Sequence, residues 1–391
     1  MLGRLPALPL RVPWWQEAWP IVDAAREAFG LDIVILRMLE SERPRPHGGN
    51  VTYLAEVQGP WPFPEAAAGA LAPAGWEPDD QPLRMPWARP GGPAADLAWA
   101  GASLAALGLA RGGPARQVRT WNLSSIWELP LAGGSRAWLK VVPPFFAHEG
   151  SMLRALAGAP VPRLLDADGA RLLLADAAGE DRYDAPLPEL LALVSMLVGL
   201  QAAWASRVDE LVTIGLPDWR GPALTTAIRA VVERRGGELD APTRGSLARL
   251  LDGLPDRFAA LASCGLPDTL VHGDFHPGNA RGVPGRTETL VLLDWGDCGV
   301  GHPLLDLPAF LEVLGPEQVG PVRAHWFDAW QAAVPGSDPV RAAALIAPLA
   351  AARQAVIYQA FVDAIEPVER RHHEADAREW LQRAADRLDA H

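Results

Sequence analysis

The chain has 391 residues, of which 49% are hydrophobic and 21% are charged, and its formal net charge is −12. This length suggests two or three domains, and the composition is ordinary for a soluble globular protein. The acidic balance argues against nucleic acid or an anionic membrane as the main partner. Two cysteines, Cys264 and Cys298, are too few for a disulfide framework.

No segment of the sequence has the pattern of a targeting or membrane-spanning element. The first residues are interrupted by prolines and lack the small-residue cleavage pattern of a secretory signal. The longest apolar run, Leu187–Leu200, contains a proline and a glutamate and is too short to cross a bilayer. We therefore expect a cytoplasmic protein without a membrane partner.

Residues 1–112 carry no recognisable chemical motif. Apolar residues at helical spacing predict a helix over Trp14–Phe29, and alternating runs predict strands at Leu31–Leu39 and Asn50–Val57. The stretch Gly59–Pro93 is rich in proline and glycine and predicts mostly loop, before a helix at Ala94–Leu109. We expect a small α+β accessory domain, for which a structural role is the simplest interpretation.

The next segment predicts a hairpin followed by a strand with one lysine. Gln117–Leu129 reads as strand, polar turn, strand, and the hydroxyls of Ser124 and Ser125 at its tip could contact nucleotide phosphates. In the strand Ala137–Val142, Lys140 stands alone among apolar neighbours, where its ammonium needs a partner. The alternative for this lysine is a snorkelling position on an edge strand.

A helix and two further strands follow. His148–Leu156 predicts a helix with Glu149 in its first turn, where a carboxylate could simply serve the helix dipole. Strands are expected at Pro162–Ala167 and Arg171–Ala175, followed by a polar crossover at Asp176–Glu180. Beyond this point the pattern becomes helical. The expected helices are 190–207, 223–234, 244–264, 304–314, 319–332, 339–365 and 368–389.

Two short strands with polar ends interrupt the helical region. The strand Thr269–Val271 leads into the loop His272–Asn279, and a second apolar strand, Thr289–Leu293, ends at Asp294. Phosphoryl transfer needs an acid that accepts the proton of the attacking hydroxyl, and oxygen ligands for metal ions that neutralise phosphate charge. By position Asp274 is the candidate base, while Asn279 and Asp294 are the candidate ligands of Mg²⁺.

Simpler interpretations exist for the same residues. A single aspartate at a strand end is more often a cap or turn residue than a catalyst. A different metal site could use His272, Asp274 and His276, with His302 as the only nearby supplement. We expect instead that the first two histidines brace the loop by hydrogen bonds.

The sequence HGDFHPGN followed by LLDWGD resembles the aminoglycoside phosphotransferase and choline kinase-like superfamily of small-molecule kinases. The resemblance covers roughly residues 115–390 and implies an α/β, protein-kinase-like bilobed fold with a sheet-rich N-lobe and a helical C-lobe. It further implies that Lys140 contacts the phosphates of ATP, and that Glu149 pairs with this lysine. Asp176 would lie in the hinge that binds adenine, and Asp306 would brace the catalytic loop.

Together these patterns predict an accessory domain at residues 1–112, a nucleotide-binding N-lobe at 113–180 and a helical C-lobe at 181–391. The expected reaction moves the γ-phosphoryl group of ATP, with Mg²⁺, to a hydroxyl of a small molecule. The net charge and the acids of the helical lobe, including Asp297, Asp363 and Glu366, favour an acceptor with an amine. Two alternatives stay open: a sugar kinase with a neutral acceptor, and a nucleotide-binding regulator without catalysis.

Overall fold

The computed structural model describes residues 2–59, 64–74 and 79–389, and the chain divides into two compact units. The first unit consists of Met1–Ala147, Leu164–Asp176 and Val362–Glu374. The second consists of His148–Arg163, Ala177–Phe361 and Ala375–His391. The border expected near residue 112 falls inside the first unit, whereas the border expected near residue 180 lies close to Ala177. The division into three domains remains a prediction.

In its described residues the first unit combines three helices with seven strands. In chain order these are α1 (Trp19–Phe29), β1 (Asp32–Ser41), β2 (Val51–Gln58), α2 (Glu65–Ala70), α3 (Gly92–Ala106), β3 (Arg116–Thr120), β4 (Ser125–Pro130), β5 (Arg136–Val141), β6 (Leu164–Asp168) and β7 (Arg171–Ala175). Short 3₁₀ helices occupy Pro86–Ala88, Pro144–Phe146 and Pro367–His372.

Most elements expected before residue 112 are present, with shifted boundaries. Helix α1 begins at Trp19 because Pro20, which lacks an N–H and has a fixed φ, favours the first turn. The two expected strands form an antiparallel pair, β1 with β2. Of the loop expected over Gly59–Pro93, residues 60–63 and 75–78 lie outside the described residues, and the described part contains the short helix α2.

Strand β1 is apolar on both faces because each face packs into a different core. Ile33 and Ile35 join a core with α1, while Val34 and Leu36 join a core that also contains residues of β4, β5 and β7. Alternate side chains of a strand point to opposite faces, so an uninterrupted apolar run is the pattern of a strand covered twice. The N-terminal segment therefore shares a core with β4, β5 and β7.

Strands β3 to β7 form one antiparallel sheet in the order β3-β4-β5-β7-β6. The hairpin and the three later strands were all predicted. Within β5, Lys140 pairs with Ile126 on one side and Leu172 on the other. Lys140 therefore occupies a central strand, and its interpretation as a lysine on an edge strand is wrong.

The second unit is mainly helical. Its helices are α4 (His148–Ala155), α5 (Leu187–Trp204), α6 (Val208–Thr213), α7 (Gly221–Arg235), α8 (Ala241–Asp252), α9 (Leu254–Ser263), α10 (Leu307–Glu312), α11 (Pro316–Ala333), α12 (Pro339–Ala364, whose last residues belong to the first unit) and α13 (Asp376–Asp389). Its strands are β8 (Glu180–Asp181), β9 (Thr269–Val271), β10 (Ala280–Gly282), β11 (Val291–Leu292) and β12 (Gly299–Gly301). Short 3₁₀ helices lie at Gly236–Glu238, Pro277–Asn279, Thr287–Thr289, Trp295–Asp297 and Pro303–Leu305.

Two of the predicted long helices are interrupted. The helix expected over 244–264 is split into α8 and α9, because Pro255 in the first turn of α9 cannot donate the hydrogen bond that would continue α8. The helix expected over 368–389 consists of a 3₁₀ segment and α13, and the division between the two units falls at Glu374.

Two helices, α5 and α12, are long and apolar enough to cross a membrane by length and composition alone. The core helices of soluble proteins meet the same criterion, and in the structure 44% and 56% of these two apolar windows are buried. Helix α5 also buries Glu189, whose carboxylate lies 2.7 Å from the Arg182 guanidinium and accepts a hydrogen bond from Gly285 N–H. A buried ion pair of this kind is typical of a core helix.

Candidate active site

The loop His272–Asn279, called the HGD loop below, is held at its start by a buried carboxylate. Asp306 is 1% exposed and accepts hydrogen bonds from His272 N–H at 2.9 Å and Gly273 N–H at 2.8 Å. Burial raises the pKa of Asp306, while the neighbouring His272 and these two N–H groups lower it. These contacts are the bracing that was expected of Asp306.

A glycine is required at the second position of this loop. Gly273 has φ +90°, and a Cβ built on it would lie 2.0 Å from the carbonyl oxygen of Asp297. Its backbone therefore touches the turn Asp294–Asp297, called the DWGD turn below. Only a residue without a side chain allows the two segments to approach so closely.

The two loop histidines make hydrogen bonds, as expected. His272 is fully buried, and its Nε2 lies 2.9 Å from the carbonyl oxygen of Leu293. His276 Nδ1 accepts a hydrogen bond from Gly278 N–H, and its Nε2 lies 3.6 Å from Asp274. Burial lowers the pKa of His272. Among the described residues no group of three or more His, Cys, Asp or Glu could hold a metal ion, so the histidine metal site finds no support.

The side chain of Asn279 orients Asp274. Its amide nitrogen donates to the main-chain oxygen of Asp274 and to the carboxylate Oδ2, both at 2.8 Å. The Asp274 side chain is 44% exposed, so one face of the carboxylate is accessible. Burial would raise the pKa of Asp274, but the hydrogen bond and charge of His276, the charge of His272 and the hydrogen bond from Asn279 hold it below its usual value. Asp274 is therefore a carboxylate at neutral pH.

The DWGD turn begins with a strained residue. Asp294 follows β11 with φ 59° and ψ 68°, and it is the only non-glycine residue with positive φ among the described residues. A left-handed aspartate stores backbone strain that is frequent at functional sites. The adjoining backbone is tied to the HGD loop, because Leu293 N–H donates to Asn279 C=O at 2.7 Å. The two candidate metal ligands thus lie beside the same hydrogen bond.

Glu149 contacts the DWGD turn directly. It lies in the first turn of α4, is 2% exposed, and accepts a hydrogen bond from Trp295 N–H at 3.2 Å. The sequence predicted a partner for Lys140 and gave no sign of this second contact, which joins residues 146 positions apart. The pairing of Glu149 with Lys140 remains a prediction.

Three residues predicted to bind nucleotide make hydrogen bonds to tryptophans within the first unit. The Ser124 hydroxyl accepts from the Trp121 indole and the Ser125 hydroxyl from the Trp127 indole, both at 3.1 Å. Both serines are buried, and the contact of their hydroxyls with nucleotide phosphates remains a prediction. The backbone N–H groups of the hairpin tip are a second possible contact for a phosphate.

Asp176 directly follows β7, and its side chain contacts residues of the neighbouring strand β5. Its carboxylate accepts from the Trp138 indole at 2.7 Å and lies 3.1 Å from the Arg136 guanidinium. The side chain is therefore engaged within the sheet. The expected adenine contact would fall to the backbone that follows it.

Lys140 is the only lysine in the sequence, since the other members of the 35 Lys and Arg residues are all arginines. Every other position that carries a lysine or an arginine is an arginine. The compact ammonium on this central strand therefore differs in charge distribution and donor geometry from every arginine of the chain.

The sequence did not identify two residues of α12 that contact the HGD loop. Arg353 and Gln354 both donate to the carbonyl oxygen of Gly273, at 3.4 and 3.3 Å. The available signal was an isolated arginine directly after the alanine run Ala350–Ala352, comparable to the isolated Lys140 in its strand.

The model of the phosphotransferase enzyme family matches residues 131–345, which is more than half of the chain. This region includes Lys140, the HGD loop, the DWGD turn and Asp306. No curated protein matches the chain.

Several solved structures are similar to the chain. A macrolide 2'-phosphotransferase of type I is 20% identical, with 73% of this chain and 96% of that chain covered and a TM-score of 0.54. An aminoglycoside phosphotransferase assigned by similarity in Ralstonia eutropha JMP134 is 18% identical, with 76% and 98% covered and a TM-score of 0.54. A choline kinase from Streptococcus pneumoniae is 14% identical, with 75% and 99% covered and a TM-score of 0.51.

Because these structures are at most 20% identical to the chain, their similarity shows the fold alone. That fold is the kinase-like combination of a sheet-rich N-terminal part and a helical C-terminal part. The family match extends over the residues that carry the HGD loop and the DWGD turn. The chain therefore belongs to the phosphotransferase enzyme family and is a small-molecule kinase.

Proposed function

We propose that the protein transfers the γ-phosphoryl group of ATP to a hydroxyl of a small molecule that carries an amine. The observation that supports this most directly is the coupling of Asp274, Asn279 and Asp294. Asn279 donates to the Asp274 carboxylate through its side chain, and its main chain accepts from the residue before Asp294. Asn279, one of the two candidate metal ligands, is thus linked both to the candidate base and to the residue that precedes the other ligand, Asp294.

Asp274 would orient the acceptor hydroxyl and accept its proton. It is ionised at neutral pH, partly exposed and fixed by the Asn279 amide, which is what a positioned base requires. Enzymatic phosphoryl transfer depends mainly on positioning and charge stabilisation, so a fixed carboxylate matters more than a strongly basic one.

The donor set of the site fits Mg²⁺. Because the amide nitrogen of Asn279 is committed to Asp274, its oxygen is the atom that can face a cation, and Asp294 adds a carboxylate. Mg²⁺ prefers such oxygen ligands and is commonly held by one or two protein groups together with phosphates. When bound, it would neutralise charge on the transferred phosphoryl group.

Lys140 would contact the phosphates of ATP as a point charge. Its position on a central strand supports this role, and an ammonium binds phosphate without the planar geometry of a guanidinium. ATP is the proposed donor, although one solved relative, an aminoglycoside 2'-phosphotransferase-IIIa with a TM-score of 0.50, is a GDP complex. A comparison of ATP with GTP as donor belongs to the same assay.

An amine-bearing acceptor is supported by the charge of the protein and by acids close to Asp274. Burial raises the pKa of Tyr358, and the negative charges of Asp274, Asp376 and Asp297 raise it further. Glu366, one of the acids expected to bind the acceptor, does not serve this purpose. It is buried and paired with Arg84 at 2.9 Å in the first unit.

An ATP-consumption screen tests the proposal, with aminoglycosides, amino sugars, amino alcohols and neutral sugars as acceptors and with Mg²⁺ present or absent. We expect ATP consumption that depends on both Mg²⁺ and an amine-bearing acceptor. We further propose that the protein acts in the cytoplasm. A neutral sugar with a higher kcat/KM than every amine-bearing analogue would favour the alternative sugar kinase. Binding of ATP without consumption for any acceptor would favour the regulator.

A further inference from the structure

Arg353 is an arginine buried in the interior of the second unit. It lies on α12 and is 1% exposed. An arginine side chain does not lose its proton in proteins, and removing an ion from water is unfavourable unless its hydrogen bonds are replaced. An apolar side chain of similar volume would fill the same space without this desolvation. Stability alone therefore does not account for an arginine at this position.

The guanidinium joins the two segments of the candidate active site. One of its terminal nitrogens, Nη1, donates to the Gly273 carbonyl oxygen at 3.4 Å, and the other, Nη2, donates to the Asp297 carbonyl oxygen at 3.2 Å. Gly273 directly precedes the candidate base, and Asp297 ends the DWGD turn. The planar guanidinium fixes the relative direction of its donors, so the two contacts define a distance between the loops.

Packing around the guanidinium limits its movement. Its Cζ lies 5.0 Å from the centroid of the Trp219 ring, within the range of a cation–π contact. A Cβ on Gly273 would lie 2.8 Å from Nη2, so the loop backbone itself forms one wall. The charges of Asp306 and Asp297 stabilise the guanidinium against its burial.

We propose that Arg353 is a positioning residue that sets the HGD loop and the DWGD turn at the separation needed for phosphoryl transfer. It does not touch the reacting groups, and acts through the two main-chain carbonyl groups. The functional meaning of this separation rests on the proposed function, whereas the structural link does not. The two parts can therefore be tested apart.

Hydrogen exchange followed by mass spectrometry tests the structural link in the complete protein. The variants are Arg353→Met, which removes both donors, and Arg353→Lys, which keeps the charge but can reach only one carbonyl. Arg257→Met is the matched control, because Arg257, like Arg353, donates to a main-chain carbonyl group. Its acceptor, at 2.9 Å, is the carbonyl oxygen of Leu345 in α12, which lies outside both loops. We expect peptides covering 272–279 and 294–298 to exchange about tenfold faster in Arg353→Met.

The conservative variant separates positioning from a general loss of stability. Arg353→Lys is expected to accelerate exchange in only one of the two peptides, and it keeps the test decisive should Arg353→Met fail to fold. The control is expected to leave both peptides unchanged. Wild-type exchange of both peptides in Arg353→Lys and in folded Arg353→Met would overturn the proposal.

Calorimetry with ATP, with and without Mg²⁺, tests the functional part. Arg353→Met is expected to bind ATP alone with the affinity of the wild type. The increase in ATP affinity caused by Mg²⁺ should be about tenfold smaller in this variant, because the distance between the candidate ligands on the two segments is no longer fixed. An unchanged Mg²⁺ effect in a variant with accelerated exchange would refute this part. If the wild type itself shows no Mg²⁺ effect, the proposed function fails while the exchange result still judges Arg353.

Discussion

The main-chain oxygen of Asn279 accepts a 2.7 Å hydrogen bond from the N–H of Leu293, the residue before Asp294. The pair is part of the antiparallel contact between β10 and β11, in which Ala280 faces Leu292. Because the register of two strands fixes which residues meet at their ends, this short pairing brings an amide and a carboxylate from distant parts of a motif together. The separation of the two candidate metal ligands is thus a property of the backbone.

Replacing Asp274 by asparagine is expected to lower turnover by about 10² to 10⁴, the usual contribution of a positioned general base, while leaving ATP binding nearly intact. Asparagine has the same shape and can still accept from Asn279, so the loop should keep its conformation. Steady-state kinetics and ATP titration measure the two effects. The matched control is Asp252→Asn, at the exposed end of α8. Full turnover by Asp274→Asn would show that another group orients the acceptor.

Replacing Asp294 by alanine is expected to abolish the tightening of ATP binding by Mg²⁺. The variant removes a carboxylate from a left-handed position, where alanine is also less favourable, so circular dichroism must first establish that it folds. Calorimetry with and without Mg²⁺ then decides the assignment. Asp328→Ala, an exposed aspartate within α11, should retain the wild-type effect. A magnesium effect of wild-type size in Asp294→Ala would exclude Asp294 as a ligand.

The parts of the site that could be predicted from sequence are those encoded by neighbouring residues. The HGD loop, the DWGD turn and Asp306 stand in short motifs, and each strand that carries them is an apolar run of a few residues. The contacts that were missed link residues far apart in sequence. Arg353 lies 80 positions from Gly273, and no local pattern shows which loop its helix will face.

Domain boundaries were hard to predict for the same reason. The segment Val362–Glu374 belongs to the first unit, where Glu369 accepts from Met38 N–H at 3.2 Å and Asn122 donates to the Glu369 carbonyl oxygen at 3.1 Å. Composition predicts a border near residue 112 but gives no sign that residues near the end of the chain complete the core of the first unit. Contacts of this sequence separation depend on the whole fold rather than on local propensity.

Replacing Lys140 by arginine is expected to lower kcat/KM for ATP roughly 10²-fold, the usual loss when one electrostatic contact to a reacting group is misplaced. Since Lys140 is the only lysine, an amine-reactive reagent offers a second measurement. Labelling of this side chain should fall when ATP and Mg²⁺ are present. The control Arg116→Lys introduces a half-exposed lysine on β3 of the same sheet, whose labelling should not change with ATP. Equal labelling of Lys140 with and without ATP would argue against a phosphate contact.

The last prediction concerns the pH dependence of stability, through His302. This residue is 8% exposed, and burial lowers its pKa from 6.5 to about 4. The unfolded chain therefore binds a proton below pH 6.5 that the folded protein excludes until about pH 4. The free energy of unfolding should decrease as the pH falls through this window, by roughly 3 kcal/mol from this one group.

The substitution His302→Asn isolates this contribution. His302 Nδ1 accepts a hydrogen bond from Leu304 N–H at 3.2 Å at the start of the 3₁₀ helix Pro303–Leu305, and asparagine is a favourable capping residue that does not titrate. Burial also lowers the pKa of His148 and His272, so the wild type loses stability in acid from several groups. The informative quantity is the difference between variant and wild type in urea unfolding at pH 7.5 and pH 4.5. We expect this difference to shift in favour of the variant by about 2 to 3 kcal/mol on acidification, whereas the exposed control His47→Gln should show no such shift. A constant difference between the two pH values would mean that His302 is protonated as readily in the folded protein as in the unfolded chain.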